Sequence, residues 1–179
     1  MVYLFLANGF EEVEALSPLD ILKRAGVNVV TVGVTDKTAV GSHGVAVVCD
    51  KTAEELDEND DFDMIILPGG MPGASNLDKN AIVDKFLYAA AKKDKFICAI
   101  CAAPFVLGVR GLLKGKNATC YPGFESKLDG AVVQNAGVVR DGKIITARAM
   151  GSALDFALCL TEALVGKEIT EKIRSSILY

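Results

Sequence analysis

The sequence predicts an α/β fold: a mostly parallel sheet with helices on both faces. Two observations carry this. Short apolar runs alternate along the chain with segments of helical spacing, and most of those runs are apolar throughout. A strand with no polar alternation is buried on both faces, which is the condition of a parallel sheet between helical layers. The chain has 179 residues, enough for one domain with a full core and few for two. With no linker, repeat or low-complexity stretch, residues 1–179 read as a single domain.

The elements follow in order. Val2–Ala7 is an apolar strand that stops at the turn Asn8-Gly9. Glu11–Ala25 carries helical spacing through Val13, Leu16, Leu19 and Leu22, and Gly26 closes it as a C-terminal cap. Asn28–Val34 is a second strand, and Val45–Cys49 a third, entered through Gly41-Ser42-His43-Gly44. An acidic loop, Asp57–Asp63, leads into Met64–Leu67 and the turn Pro68-Gly69-Gly70-Met71-Pro72-Gly73. A helix fits Ala81–Lys92, a strand Phe96–Ile100 and a further helix the region of Pro104–Arg110. Ala131–Asn135, Val138–Arg140 and Lys143–Thr146 read as short antiparallel strands, the last two joined by Asp141-Gly142. An apolar helix over Gly151–Val165, capped by Gly166, ends the series.

Composition narrows the function classes. Net charge is −4 with scattered basic residues, so no nucleic-acid surface is expected, and no apolar run approaches membrane-spanning length. The chain enters a strand within two residues, without a signal peptide, and its five cysteines lie mostly in apolar contexts. This is thiol usage for a reducing compartment, and a cytoplasmic location is expected.

The chemistry centres on Cys101. The run Phe96–Ile100 stops at this thiol, with small residues around it and Pro104 three positions later, so a strand turns sharply into a helix. Ala99-Ile100-Cys101-Ala102-Ala103 has the small-x-nucleophile-x-small layout of a nucleophile elbow. A thiol at a helix N-terminus meets free amides and the positive end of the dipole, which favour thiolate, so Cys101 is expected to be the most acidic of the five thiols. Glu11 and Glu12 are read as offsetting the dipole of the first helix. Glu14 shares a face with Phe10, Ser17, Pro18 and Ile21 and is expected to point inward. Beside a thiolate its pKa would rise by burial and like charge, letting it hydrogen-bond the sulfur and shuttle a proton. Gly69 and Gly70 follow a strand and can aim free amides at the sulfur or at an oxyanion. Cys98 and Cys101 form no thioredoxin-like pair, since three residues of strand separate their Cα atoms by about 10 Å. One histidine and unclustered cysteines make no zinc site, so neither metal nor cofactor is expected. His43 sits in a turn remote from Cys101 and is read as a solvated turn residue, while Tyr121, beside Pro122 at a strand end, borders the site.

Gly9-Phe10-Glu11-Glu12-Val13-Glu14, Leu67-Pro68-Gly69-Gly70 and Ala99-Ile100-Cys101-Ala102-Ala103-Pro104, in this order and spacing, resemble the ThiJ/PfpI family, more closely its DJ-one-like, parkinsonism-protein branch. The likeness runs over essentially the whole chain, including Arg148-Ala149-Met150-Gly151-Ser152-Ala153. It implies a flavodoxin-like three-layer α/β sandwich related to class I glutamine amidotransferases. It also implies a homodimer built on the first helix and the Val45–Cys49 region, with Cys49 near the two-fold axis and Arg24 near the partner's active-site entrance. By the same resemblance Cys101 is the nucleophile, Glu14 its acid, and Gly69, Gly70 and Ala102 supply the surrounding amides. The implied activity is cofactor-free detoxification of small reactive carbonyls of glyoxalase III or deglycase type. The alternative is an oxidative-stress sensor or protective chaperone acting through Cys101. This chain carries Ala102 where the protease-like branch has histidine, and Tyr121 before Pro122 where many relatives have histidine. No histidine follows His43, which argues against peptidase or amidase chemistry.

Overall fold

The computed structural model describes residues 1–57 and 59–179; Glu58, in the acidic loop, lies outside the described residues. Eleven strands and six helices follow in chain order: β1 (Val2–Leu6), α1 (Glu12–Arg24), β2 (Val29–Gly33), β3 (Thr38–Val40), β4 (Ala46–Val48), β5 (Lys51–Thr52), β6 (Met64–Leu67), α2 (Gly73–Asp78), α3 (Ala81–Lys92), β7 (Phe96–Ile100), α4 (Pro104–Gly108), β8 (Asn117–Ala118), β9 (Val132–Val133), β10 (Val138–Asp141), β11 (Ile144–Ala147), α5 (Ala153–Val165) and α6 (Lys167–Ser176). Seven of the strands form one sheet in the order β10-β11-β7-β6-β1-β2-β5. All neighbours run parallel except β10 and β11, which make the antiparallel hairpin expected from Asp141-Gly142.

The apolar strands are buried on both faces, and their alternation sorts side chains into two cores. Tyr3, Phe5, Ile65, Leu67, Ile97 and Ala99 face one layer, with Phe86 and Leu87 of α3 and Val106 of α4. Val2, Leu4, Leu6, Met64, Ile66, Cys98 and Ile100 face the other, with Leu22 of α1 and Phe156 and Leu160 of α5. The result is the expected three-layer sandwich. Arg110 ties one layer together: it donates to Asp78 at the end of α2 (2.6 Å), to Asp84 in α3 (2.5 Å) and to the Val106 carbonyl in α4 (2.7 Å).

The strand order reverses direction between β1 and β6. From β1 the chain builds outward through β2 to β5, then returns to β6 and builds the other way through β7 to β11. Such a switch point leaves a crevice at the carboxyl ends of the strands, where α/β sheets bind ligands.

Four local expectations need correction. Val45–Cys49 is no member of the main sheet; Ala46–Val48 pairs with Thr38–Val40 in a separate two-stranded hairpin, leaving Val48 73% exposed. Cys49, which follows that hairpin, is 2% exposed within this chain, so its sulfur does not stand on an open surface. Residues 131–135 are not an antiparallel strand: Val132–Val133 pairs in parallel with Asn117–Ala118, a partner too short to show in the sequence pattern. Helices α2 and α6 were not anticipated; α6 is mostly polar and docks through Ile173 and Ile177 onto Ile21 of α1 and Leu158 of α5.

Candidate active site

The site begins with one backbone angle. Cys101 follows β7 with φ of 65°, the left-handed region that costs a non-glycine residue about 1–2 kcal/mol. The surroundings hold it there. Its N–H donates to the Ala147 carbonyl at 2.9 Å, and its own carbonyl accepts the Tyr121 N–H at 2.8 Å. Pro104 opens α4 in the first turn, as the sequence predicts. The strand-turn-helix elbow is therefore built from β7, β11 and the 119–121 segment together.

Glu14 arrives from α1. Glu11 is the N-cap of that helix and accepts the Glu14 N–H at 2.7 Å, fixing the turn from which Glu14 projects. The Glu14 side chain is 1% exposed and is a hydrogen-bond partner of the Cys101 thiol. Its Oε2 accepts the Gly69 N–H at 3.0 Å, and the carboxyl also receives the Met150 N–H. The amides of Gly70 and Ala102 point to the Cys101 sulfur. Gly69, expected to serve the sulfur, serves the carboxyl instead. There is no room for a larger residue at 69: a Cβ would stand 2.5 Å from Glu14 Oε2 and 2.6 Å from Cys101 Cβ.

Burial dominates the electrostatics. It pushes Glu14 up to about 7, against the pull of the hydrogen bonds from Cys101, Gly69 and Met150. Burial and the adjacent Glu14 charge push the Cys101 thiol up to about 12, outweighing the amides of Ala102 and Gly70. The start of α4 does not lower the Cys101 thiol as expected: burial and the Glu14 charge move it up instead. Helix α4 has five residues, too short a stack of dipoles to offset a like charge within contact. The two groups titrate as a pair that loses one proton near 7 and the second near 12. With one proton left on the pair, its place on the sulfur leaves a carboxylate held by the amides of Gly69 and Met150, and its transfer to the carboxyl makes the sulfur a thiolate facing an O–H donor and two amides. Access separates Cys101 from Cys49, Cys98 and Cys120, which are buried; Cys159 on α5 is also partly open but has no acid partner beside it.

Glu12 does more than offset a dipole. It is buried and accepts the His43 N–H at 2.7 Å, with His43 Nδ1 at 2.9 Å and Ser42 Oγ at 3.3 Å. These bonds overcome burial and hold Glu12 down at about 2, while its carboxylate raises His43. Glu12 thus locks the 41–44 turn onto the start of α1. His43 is 75% exposed at its side chain, and its partners are Glu12 and Ser42, not the reactive pair. Arg24 ends α1 in an ion pair with Asp20 at 2.6 Å and does not join the site within this chain. Tyr121 is 47% exposed, and its N–H is bonded to the Cys101 carbonyl.

The lock between His43 and Glu12 has a defined pH window. Glu12 is depressed from 4.5, so its contribution is present above about 4.5 and fades as pH falls toward 2. His43 is raised from 6.5, so its contribution is full below about 6.5 and fades as pH rises through the raised value. The thermal stability difference between wild type and His43→Ala is expected to peak between these limits. A difference that grows steadily into alkaline pH would show that the charge pairing is not its source.

Glu11, Glu12 and His43 bring ligand-type atoms within 4.8 Å of one another. Glu11 Oε2 already accepts the Glu14 N–H and Glu12 accepts from His43, and the positive end of α1 opposes a cation there. They fit a structural clasp better than a metal centre. Sequence reasoning missed Met150 and Ala147, which act through backbone atoms and leave no signal in residue type. No helix among the described residues is long and apolar enough to cross a membrane.

Comparison with known proteins agrees with this geometry. A family model described as the DJ-1/PfpI family matches residues 1–163. The Parkinson disease protein 7 homolog of Danio rerio is 33% identical over 177 residues, covering 97% of this chain and 94% of that protein. Protein dj-1beta of Drosophila melanogaster is 36% identical over 176 residues, with the same 97% and 94% coverage. Among solved structures, a cysteine-to-alanine mutant of a DJ-1 superfamily protein from Salmonella typhimurium superposes with a TM-score of 0.95 at 36% identity, covering 99% of this chain and 97% of that one. Toxoplasma gondii DJ-1, in a form described as oxidized, does so with a TM-score of 0.95 at 39% identity and the same 99% and 97% coverage.

Proposed function

The chain belongs to the DJ-1/PfpI family, and on that premise we propose that it converts small reactive carbonyls such as methylglyoxal to 2-hydroxy acids without a cofactor. The observation that carries this is the buried Glu14 carboxyl hydrogen-bonded to the Cys101 thiol, with the amides of Gly70 and Ala102 on the sulfur. With the proton on Glu14, the thiolate adds to the aldehyde carbon of methylglyoxal and forms a hemithioacetal. Its oxygen lies where the two amides can hold negative charge. Glu14 gives its proton to that oxygen, and the carboxylate so formed takes the proton from the former aldehyde carbon and returns it to the neighbouring carbon through an enediol. The product is a 2-hydroxy thioester on Cys101. Attack by water breaks the carbon–sulfur bond, releases lactate and restores the thiol. Overall one water is added and no redox partner is needed.

Methylglyoxal turnover by wild type against Cys101→Ser tests this directly. A Cys101→Ser protein within a factor of ten of wild type would overturn the covalent route. Peptidase or amidase chemistry has no comparable support, because the one histidine is bound to Glu12.

A second reading rests on the same carboxyl. Protonated up to about 7, Glu14 can donate to an oxygen of an oxidised sulfur, so Cys101 also suits a stress-sensing sulfinate. Peroxide that places two oxygens on Cys101 while Cys101-dependent turnover is absent would favour this reading over the first.

The assembly in this reading is a homodimer. Val13 on α1 and Val40, Val45 and Val48 on the hairpin are all exposed around the 41–44 turn. An apolar patch that meets itself across a two-fold axis is the simplest cover for them. Sedimentation is expected to give a dimer for wild type at micromolar concentration and a monomer for Val48→Asp.

A further inference from the structure

We propose that Arg148 is the anion-recognising side chain of this site and takes the carboxylate of the 2-hydroxy acid; this rests on the carbonyl-converting reading above. Arg148 follows Ala147, whose carbonyl holds the Cys101 N–H at 2.9 Å, and comes two residues before Met150, whose N–H holds Glu14. Its own N–H donates to the Gly137 carbonyl at 2.8 Å. The backbone that carries it is therefore fastened to both members of the reactive pair.

The side chain is half-buried, and Nη1 donates to Asn135 Oδ1 at 2.5 Å. That is its one hydrogen-bond partner among the described residues. Its charge is felt at Cys120, the neighbour of Tyr121, whose N–H is bonded to the Cys101 carbonyl. The guanidinium is thus tied to the 134–136 segment, which is bonded to the stretch leading into Tyr121 through the Gln134 N–H to the Ala118 carbonyl at 2.8 Å and the Thr119 hydroxyl to the Ala136 carbonyl at 3.0 Å.

The other four arginines are engaged elsewhere. Arg24, Arg110 and Arg174 pair with carboxylates, and Arg140 lies over the Phe96 ring at the start of β7. Among the described residues Arg148 has no carboxylate. Glu125, which also acts on Cys120, has its Oε2 engaged by the Gly123 N–H at 2.7 Å. A guanidinium fixed by a neutral amide, with Nε and Nη2 left open, presents a fork suited to a carboxylate. The proposed reaction turns a neutral dicarbonyl into an anion, so this fork holds product more tightly than methylglyoxal. It also favours carbonyl substrates that already carry a carboxylate.

Lactate and its uncharged isostere lactamide separate the effect of charge from that of shape. Titration followed by NMR is expected to show wild type binding lactate about tenfold more tightly than lactamide, with the preference weakened by salt. Arg148→Met should abolish the preference and Arg148→Lys should restore part of it. Asn135→Ala removes the positioning contact and should reduce the preference without abolishing it. A wild type with no preference for lactate, including no measurable binding of either compound, overturns the assignment, as does an Arg148→Met protein that keeps the preference. The wild-type comparison stands even if a variant fails to fold. Absence of methylglyoxal turnover would defeat the reaction reading alone, because ligand preference is measured without turnover.

Discussion

Glu14→Gln is expected to lower methylglyoxal turnover by about 10²-fold or more, while making the protein more stable above pH 7. The glutamine amide can still accept from Gly69 and donate toward the sulfur, so the loss isolates proton transfer from hydrogen bonding. The stability gain follows from the raised acid. With Glu14 at about 7 folded and 4.5 as the ordinary value, the folded state keeps a proton that the unfolded state sheds between those limits. Stability of the wild type therefore falls as pH rises through that window, by about 3 kcal/mol in total. Glutamine has no charge to bury and escapes this loss. Denaturant unfolding at pH 4 and pH 8 measures it: the advantage of Glu14→Gln should be near zero at the lower value and largest at the higher. The wild-type rate should rise with pH through about 7, as the pair reaches its singly protonated form. Unchanged turnover in Glu14→Gln would remove Glu14 as the proton carrier.

Gly69→Ala is expected to disable the site by geometry alone. The added Cβ would meet Glu14 Oε2 at 2.5 Å, Cys101 Cβ at 2.6 Å and the Ile100 carbonyl at 2.9 Å. The last two belong to the elbow itself, and Glu14 Oε2, though the end of a side chain, is buried and held by the Gly69 amide. Either the acid or the elbow must move, and the cost of such overpacking is about 3 kcal/mol. Activity should fall more than tenfold even where the protein stays folded, because an ångström of misplacement separates the proton from the sulfur. Gly111→Ala is the control: its φ of 71° strains an alanine, but nothing lies within 4 Å of the new Cβ. It should lose about 1 kcal/mol and no activity. Equal loss of activity in both variants would mean that general destabilisation, not local crowding, disables Gly69→Ala.

The large features of the fold were legible because burial on both faces writes itself into strand composition. Val2–Leu6, Met64–Leu67 and Phe96–Ile100 are apolar at every position, and the structure buries each of them completely. The hairpin was misplaced for the same reason: Val45-Ala46-Val47-Val48 is as apolar as a central strand, yet Val45 and Val48 are exposed in this chain. Composition reports that a face wants cover without saying whether the cover is internal. Cys101 and Glu14 were legible because their chemistry resides in side chains at strand and helix ends. Glu12 was misjudged because a carboxylate at a helix start has a sufficient reason to be there, and its partners, Ser42 and His43, are some thirty residues distant. The direction of the Cys101 pKa was missed because a five-residue helix gives little field, and the sequence does not reveal how short it is.

The order in which the strands meet also sets when this thiol becomes special. Gly69 and Cys101 follow β6 and β7 and Glu14 projects from α1, but the Cys101 N–H waits for the carbonyl of Ala147, and Glu14 waits for the amide of Met150. While residues 1–101 alone have been made, neither of those two bonds can form. Only after β11 has been made and docked does the elbow take its left-handed turn and the proton become shared. The reactive sulfur thus depends on backbone that the chain contributes long after Cys101 itself, from β11 and the turn that follows it.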